Sequence, residues 1–301
     1  MGMKIVKTAV ALPLESFSND DIIKKYELDS SSEWVVQMTG IESRGFFKND
    51  QDFINACFSV FDSLKDVGLI DGIVVASSTS PYSFPGLSHI IHSKSGLPSI
   101  RLLDVNAACN GFMQALSVAH SWLEFEGLNR VLVIGADMMS KILDFKDRST
   151  AFLFADAVGG VIVEKSDAVK TYWNHFNESI NYEALVASDS IKMNGRAVFE
   201  KAVKVFEGMV LNLLDNSKLC ADDINFIIPH QANYRIFKSL ANRLKIDESK
   251  IPFLASNIGN TSAATIPVAI NSLLEKEDFL NSKYILAGFG AGFSASAALF
   301  S

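Results

Sequence analysis

Short apolar runs rich in Val and Ile alternate along the chain with helix-length amphipathic segments. The runs Lys4–Val10, Gly72–Ala76, Ile100–Val105, Arg130–Gly135, Gly159–Glu164, Asn225–Ile228 and Lys283–Ala287 predict β-strands. Several are continuously apolar, as expected where both faces of a sheet are covered. Between them, Asn55–Val67, Gly111–Glu126, Arg196–Leu214, Tyr234–Leu244 and Ala264–Lys276 predict helices. Strands alternating with helices indicate an α/β protein with a largely parallel sheet. No short-period repeat is visible, which argues against solenoids and propellers. A coarser symmetry is present: each half has a strand that runs into a polar elbow and then a helix. These are Arg101–Cys109 in the first half and Phe226–His230 in the second. The stretch Lys165–Lys192 is less regular and aromatic, with Tyr172, Trp173, His175, Phe176 and Tyr182. It reads either as a linker with local structure or as a flap lining a pocket.

Composition narrows the class. The 301 residues are 49% hydrophobic and 20% charged, enough apolar content to offset the entropy of ordering, in one large domain or two fused ones. A net charge of −7 argues against a general nucleic-acid binder, which needs a basic face to displace counterions from phosphates. The three cysteines, Cys57, Cys109 and Cys220, are too few and too widely spaced for a disulfide framework or a CxxC metal knuckle. The first ten residues lack a signal-peptide core and a myristoylation pattern, and no uncharged apolar run reaches the roughly 18 residues that span a bilayer. These features predict a soluble, cytoplasmic protein with no metal, no nucleic-acid partner and no membrane association.

Two elbows carry chemistry. Cys109 follows an apolar strand and precedes Asn110, Gly111 and a helix, so its thiol faces helix N-terminal amides that favour a thiolate; the alternative is a small buried core residue. Cys57, inside an apolar helix, fits the core alternative, and Cys220 reads as a loop residue. His230 ends an apolar strand, a place suited to acid/base work or to hydrogen-bonding a developing oxyanion. The segment 256–264 is polar, bears Gly259, and precedes a helix that Asn or Thr would cap. The loop Gly288–Ser294 lacks the Gly-Lys-Ser/Thr ending of a P-loop. Its glycines serve either a phosphate or close backbone approach around an oxyanion.

Four segments in order, NAACNGF at 106–112, PHQANYRI at 229–236, NIGNTSAAT at 257–265 and GFGAGF at 288–293, make the chain resemble the β-ketoacyl-acyl-carrier-protein synthase III family of thiolase-fold condensing enzymes. The resemblance covers nearly the whole chain. It implies two similar α/β halves in a five-layered αβαβα architecture, an N-terminal half over 1–168 with the nucleophile and a C-terminal half over 169–301 with its partners. It implies a catalytic trio: Cys109 takes an acyl group from coenzyme A, while His230 and Asn260 support decarboxylation of malonyl-acyl-carrier-protein. The backbone N–H groups of Cys109 and Gly292 match the oxyanion hole. Trp34 and Arg148 match a pair that stacks on adenine. Gly195, Asn233, Arg235, Phe154 and Met193 match tunnel positions, and Phe84 matches a phenylalanine lent to the partner's acyl pocket in a dimer. No cofactor is implied beyond acyl-coenzyme A as substrate. The implied partners are acyl-coenzyme A, an acyl carrier protein and a second copy of the chain.

Arg235, Lys238, Arg243 and Lys245 follow His230 at roughly helical intervals, with few acidic residues between 233 and 246, and predict a basic docking stripe for an acidic carrier protein. The alternative is a solvated helix face. Departures from the family pattern fall on its substrate-facing parts. Met38 stands where an arginine is usual, 155–160 reads Ala-Asp-Ala-Val-Gly-Gly, the insertion between Glu164 and Met193 is short, and Ser294-Ala295 replaces Thr-Trp. The expected activity is condensation of an acyl starter with malonyl-acyl-carrier-protein. The competing readings are an acyl-shuttling or esterifying acyltransferase of a specialised-metabolite or glycan pathway, and a non-catalytic heterodimer subunit.

Overall fold

Continuous Val/Ile runs leave a strand with no polar face, so each must lie inside a sheet covered on both sides. The computed structural model describes residues 2–179, 182–274 and 279–301 and builds two such sheets. In chain order the first part contains β1 (Gly2–Ala11), β2 (Ser16–Ser18), α1 (Asn19–Tyr26), α2 (Ser32–Thr39), β3 (Ser43–Gly45), α3 (Asp50–Leu64), β4 (Gly72–Ala76), α4 (Leu87–Ser93), β5 (Arg101–Val105), α5 (Gly111–Phe125), β6 (Arg130–Met138) and β7 (Asp156–Ser166). The second contains β8 (Thr171–Asn177), β9 (Leu185–Ala187), β10 (Ile191–Met193), α6 (Gly195–Ser217), β11 (Phe226–Pro229), α7 (Tyr234–Leu244), α8 (Thr265–Leu274), β12 (Tyr284–Gly290) and β13 (Ser294–Phe300).

One sheet has the order β1-β7-β6-β4-β5, the other β11-β12-β13-β8. The β6-β4-β5 and β11-β12 pairs are parallel; β1-β7-β6 and β12-β13-β8 are antiparallel. Helices α5 and α8 lie between the sheets, α3 and α4 cover the outside of the first, and α6 with α7 covers the outside of the second. The result is the five-layered αβαβα arrangement. The central core joins α5 residues such as Phe112 and Leu116 to Val74, Val133, Leu286 and Phe300 from both sheets. Separate apolar cores lie under α3 and under α6.

The predicted strands are present, with β1, β6, β7 and β12 extending beyond their expected bounds. Six strands were not expected: β2, β3, β8, β9, β10 and β13. β8 falls in the aromatic stretch 165–192, where Tyr172 and Phe176 face the α6 core while Trp173 faces the central one. β13 is mostly Ser and Ala, types with weak strand preference. The rest of 165–192 forms the β9–β10 hairpin, with residues 180 and 181 outside the described residues. Helix α3 begins earlier than expected because the Asn49 side chain accepts the Asp52 N–H at 3.0 Å, with Asp50 and Asp52 in the positive first turn. Of the predicted helix 264–276, residues 275 and 276 lie outside the described residues. Among the described residues no helix is long and apolar enough to cross a membrane.

Candidate active site

The parallel strand β5 ends at Val105, and the chain reverses through Ala108, at φ 48°, into a tight turn whose middle residue is Cys109. A left-handed alanine is strained, so surrounding contacts must hold it. Asn110 supplies one: its amide donates to Ser296 Oγ at 3.2 Å, and Gln114 reaches the same oxygen at 2.9 Å, tying the turn to β13. The end of β12 presses against the same turn. A Cβ on Gly290 would lie 2.8 Å from the Asn110 nitrogen and 3.1 Å from the Cys109 nitrogen. The glycine-rich segment thus serves close backbone approach, and a strand rather than a helix follows it. Gly292 has φ 130°, a conformation glycine favours.

His230 emerges from β11 with its N–H on the Ala287 carbonyl at 2.7 Å. Its Nδ1 is 2.6 Å from Thr265 Oγ1, which also lies 3.1 Å from the Ser262 carbonyl. The single hydroxyl proton of Thr265 serves one of them. Given to Nδ1, it leaves the ring proton on Nε2, a donor; given to Ser262, it lets Nδ1–H donate to Thr265 and leaves Nε2 with a lone pair. Burial drives the His230 pKa down to about 4, so the ring is neutral near pH 7. Asn260 is anchored by its backbone to Leu153 and Ala155 at 2.8 and 2.9 Å. Its Oδ1 accepts the Ser262 N–H at 3.0 Å, which leaves the amide NH2 as the free end.

The expectation of a lowered Cys109 pKa is corrected by the structure. Cys109 is 8% exposed, and desolvation pushes its thiol up to about 11, with the nearby Asp137 charge adding to the rise. A hydrogen bond from Ser262 at 3.5 Å opposes this without overcoming it. The resting group is a thiol. Cys57 is fully buried under α3, and Cys220 is exposed.

Cys109, His230 and Asn260 line one cavity of about 400 Å³. So do Trp34, Arg148, Gly195, Met193, Phe154, Asn233 and Arg235, drawn from four separate regions of the sequence. At the mouth the Arg148 guanidinium lies 4.9 Å from the Trp34 ring and donates to the Asp29 carbonyl at 2.7 Å. At this separation a flat base does not fit between the two groups and would have to part them. Arg235 packs over Phe199 at 5.5 Å, and the Asn233 amide donates to the Met38 carbonyl at 3.0 Å. Gly292, Phe84, Lys238, Arg243 and Lys245 are not among the lining residues. Phe84 is 85% exposed. Within the expected basic stripe, Arg243 pairs with Glu207 at 2.8 Å, and Lys245 forms the left-handed cap of α7. The sequence reading missed the apolar wall of α6, where Val198, Phe199, Ala202 and Phe206 recur at helical spacing, and Leu185 of the hairpin. That spacing was visible but looks the same in any core-facing helix. Among the described residues no cluster of three or more His, Cys, Asp or Glu side chains is placed to hold a metal ion.

A site with a buried thiol, a neutral imidazole and an amide NH2 at the end of an apolar tunnel is suited to acyl transfer with stabilisation of a carbanion or oxyanion. Comparisons with known proteins point the same way. Residues 103–178 match the family profile described as 3-oxoacyl-[acyl-carrier-protein (ACP)] synthase III, and residues 214–301 match its C-terminal profile. A β-ketoacyl-[acyl-carrier-protein] synthase III of Acholeplasma laidlawii is 38% identical over 99% of this chain and 98% of its own. One from Staphylococcus aureus is 36% identical over 88% of each. The crystal structure of 3-oxoacyl-[acyl-carrier-protein] synthase III from Aquifex aeolicus superposes with a TM-score of 0.93 at 31% identity, over 99% of both chains.

Proposed function

The chain belongs to the 3-oxoacyl-[acyl-carrier-protein] synthase III family, and from that premise we propose that it joins an acyl starter to malonyl-acyl-carrier-protein, releasing carbon dioxide, in fatty-acid initiation. As an acyltransferase it uses acyl-coenzyme A as its first substrate and needs no other cofactor. The supporting observation is that Cys109, His230 and Asn260, far apart in sequence, line the same tunnel end.

The steps follow from these groups. Cys109 loses its proton, with Nε2 of neutral His230 as the available base when the Thr265 hydroxyl faces Ser262. The thiolate attacks the thioester carbonyl, a new C–S bond forms, and the coenzyme A thiolate leaves and takes up a proton. The Cys109 and Gly292 N–H groups hold the tetrahedral oxyanion in this assignment. Malonyl-acyl-carrier-protein then enters. Breaking its C–CO2 bond passes an electron pair into an enolate, whose oxygen receives hydrogen bonds from His230 Nε2–H and the Asn260 amide. The carbanion attacks acyl-Cys109, the new C–C bond forms, and the C–S bond breaks to return the thiolate. One proton is consumed overall.

The carrier protein docks beside the mouth, where Arg235, Lys238 and Lys245 of the expected stripe have no acidic partner among the described residues and Arg243 pairs with Glu207. A homodimer completes the enzyme, with Phe84 of each copy entering the acyl pocket of the other. The test has two arms. Incubation with a panel of acyl-coenzyme A donors should add one acyl mass to the Cys109 peptide, and malonyl-acyl-carrier-protein should release carbon dioxide in a His230- and Asn260-dependent way. No acylation of Cys109 would refute the nucleophile. Acylation without decarboxylation would mean an acyl shuttle.

A further inference from the structure

Among the buried polar groups, Asp137 is not used by the steps above. It is the penultimate residue of β6, after the apolar run Val131–Ala136, and is fully buried. Its carboxylate accepts the Ser78 N–H at 2.8 Å, the Thr79 hydroxyl at 2.9 Å and the Ala263 N–H at 3.1 Å, with further contacts to the Ser77 and Ser78 hydroxyls at 3.4 and 3.2 Å. So many donors indicate a site built for a charge, although burial raises its pKa. Ser262 stands between this carboxylate and the nucleophile. Its hydroxyl donates to Cys109 Sγ at 3.5 Å, and the next residue's N–H, that of Ala263, is held on the Asp137 carboxylate at 3.1 Å, so the Ser262 hydroxyl lies close enough to that carboxylate to lower its pKa. The residue is held at φ 53°, and its own N–H is fixed on Asn260 Oδ1. Backbone strain at such a place asks for a reason.

We propose that Ser262 is a further catalytic residue, a switching donor whose hydroxyl turns to Cys109 Sγ when the thiolate forms and back to Asp137 when the sulfur is protonated or acylated, with Asp137 as its positioning residue. A hydroxyl has one proton to give. The thiolate is a strong acceptor, whereas a thiol or thioester sulfur is a weak one, so the carboxylate wins the hydroxyl whenever the sulfur is neutral. Asp137 has the opposite direct effect, since its charge disfavours a second anion nearby. His230 lines the same cavity as Cys109, and the charged residues lining it are Arg148, Arg196 and Arg235.

The inference rests on Cys109 as the nucleophile, and the test separates the two. Iodoacetamide alkylates thiolates, forming a C–S bond with loss of iodide, so its rate against pH reads the thiolate fraction. Peptide mapping of the full chain follows Cys109 and, in the same sample, the exposed Cys220 as internal reference. Ser262→Ala keeps the backbone bonds to Asn260 and Thr265 and should slow Cys109 alkylation about three- to tenfold at pH 8. Asp137→Asn should accelerate it, and Cys220 should be unchanged in both. Opposite shifts cannot come from general loosening of the turn. A Cys109 rate within twofold of the unaltered protein in Ser262→Ala, or both variants moving it the same way, would overturn the proposal. Failure of acyl-coenzyme A to load Cys109 would instead remove the nucleophile reading, with the alkylation result standing by itself.

Discussion

In the proposed reaction, His230 and Thr265 form the pair on which both half-reactions turn. The imidazole must accept a proton in one step and donate a hydrogen bond in the next, and the Thr265 hydroxyl, 2.6 Å from Nδ1, is the group whose rotation permits both. Thr265→Val keeps the shape and removes the switch. Decarboxylation of malonyl-acyl-carrier-protein should fall by roughly 10²-fold, the usual scale for one acid/base or oxyanion contribution. Measured carbon dioxide release should show this in kcat, with the fold intact by circular dichroism. His230 also has a stability consequence. Its folded pKa is about 4 against an ordinary value of 6.5, both set against burial as the cause. As pH falls from 6.5 toward 4 the unfolded chain takes a proton that the native chain refuses. Native stability should therefore decline across that window by up to about 3 kcal/mol from this residue. Above pH 6.5 the contribution is fully present. Urea midpoints between pH 4.5 and 7.5 should slope less in His230→Gln than in the unaltered protein. At this scale Cys109 and His230 were legible because each follows a strand at an elbow, and Asn260 because it sits in a polar, glycine-bearing motif before a helix. Ser262 and Thr265 lay inside a quoted motif without a role, and Asp137 was missed, although a lone carboxylate in the run Arg130–Met138 was its signal.

Elements position the trio through close approach of backbone to backbone. β6 meets the turn that carries Asn260 and Ser262 at Gly135, where a Cβ would lie 2.2 Å from the Ala263 carbonyl oxygen. Gly135→Ala must therefore move the turn or the strand. A loss of about 1–3 kcal/mol in chemical denaturation is expected, the scale of overpacking a core. Decarboxylation should fall with it, because Asn260 moves, and unchanged stability would show that the strand and turn yield freely. The same closeness explains what the pattern of apolar positions did not reveal. β13 is built from small residues so that α5 and β12 can lie near it, and Ala and Ser carry little strand signal. β8 has apolar groups on both faces and polar residues between them, so its alternation was masked. Strands with long Val/Ile runs and the longer amphipathic helices were readable; the short helices α1, α2 and α4 were not, although Ser18 and Asp21 cap α1 reciprocally, and neither were strands defined by what packs on them.

At the scale of the whole molecule, the first sheet ends in an open edge. β5 pairs with β4 on one side, and no described strand covers the other. Leu103 on this edge is 37% exposed, and nearby Tyr82 and Phe84 are 52% and 85% exposed. An uncovered edge with exposed apolar side chains is a liability in a lone chain and a natural seam between copies. It also lies next to chemistry, because β5 leads directly into the Cys109 turn. In the proposed dimer, β5 of two copies would pair about a twofold axis, which would extend the sheet and turn each Phe84 toward the other copy's cavity. Phe84 does not line the cavity of its own chain, so only a second copy can bring it there. Leu103→Lys should place like charges across the seam and shift sedimentation from dimer to monomer, with acyl loading of Cys109 falling in proportion to the monomer formed. Phe84→Ala should leave the dimer in place and broaden the acyl chains that load, since it removes pocket wall and not edge. If the unaltered protein sediments as a monomer and still loads Cys109 at full rate, the exposed edge has another occupant and the pocket is complete within one chain.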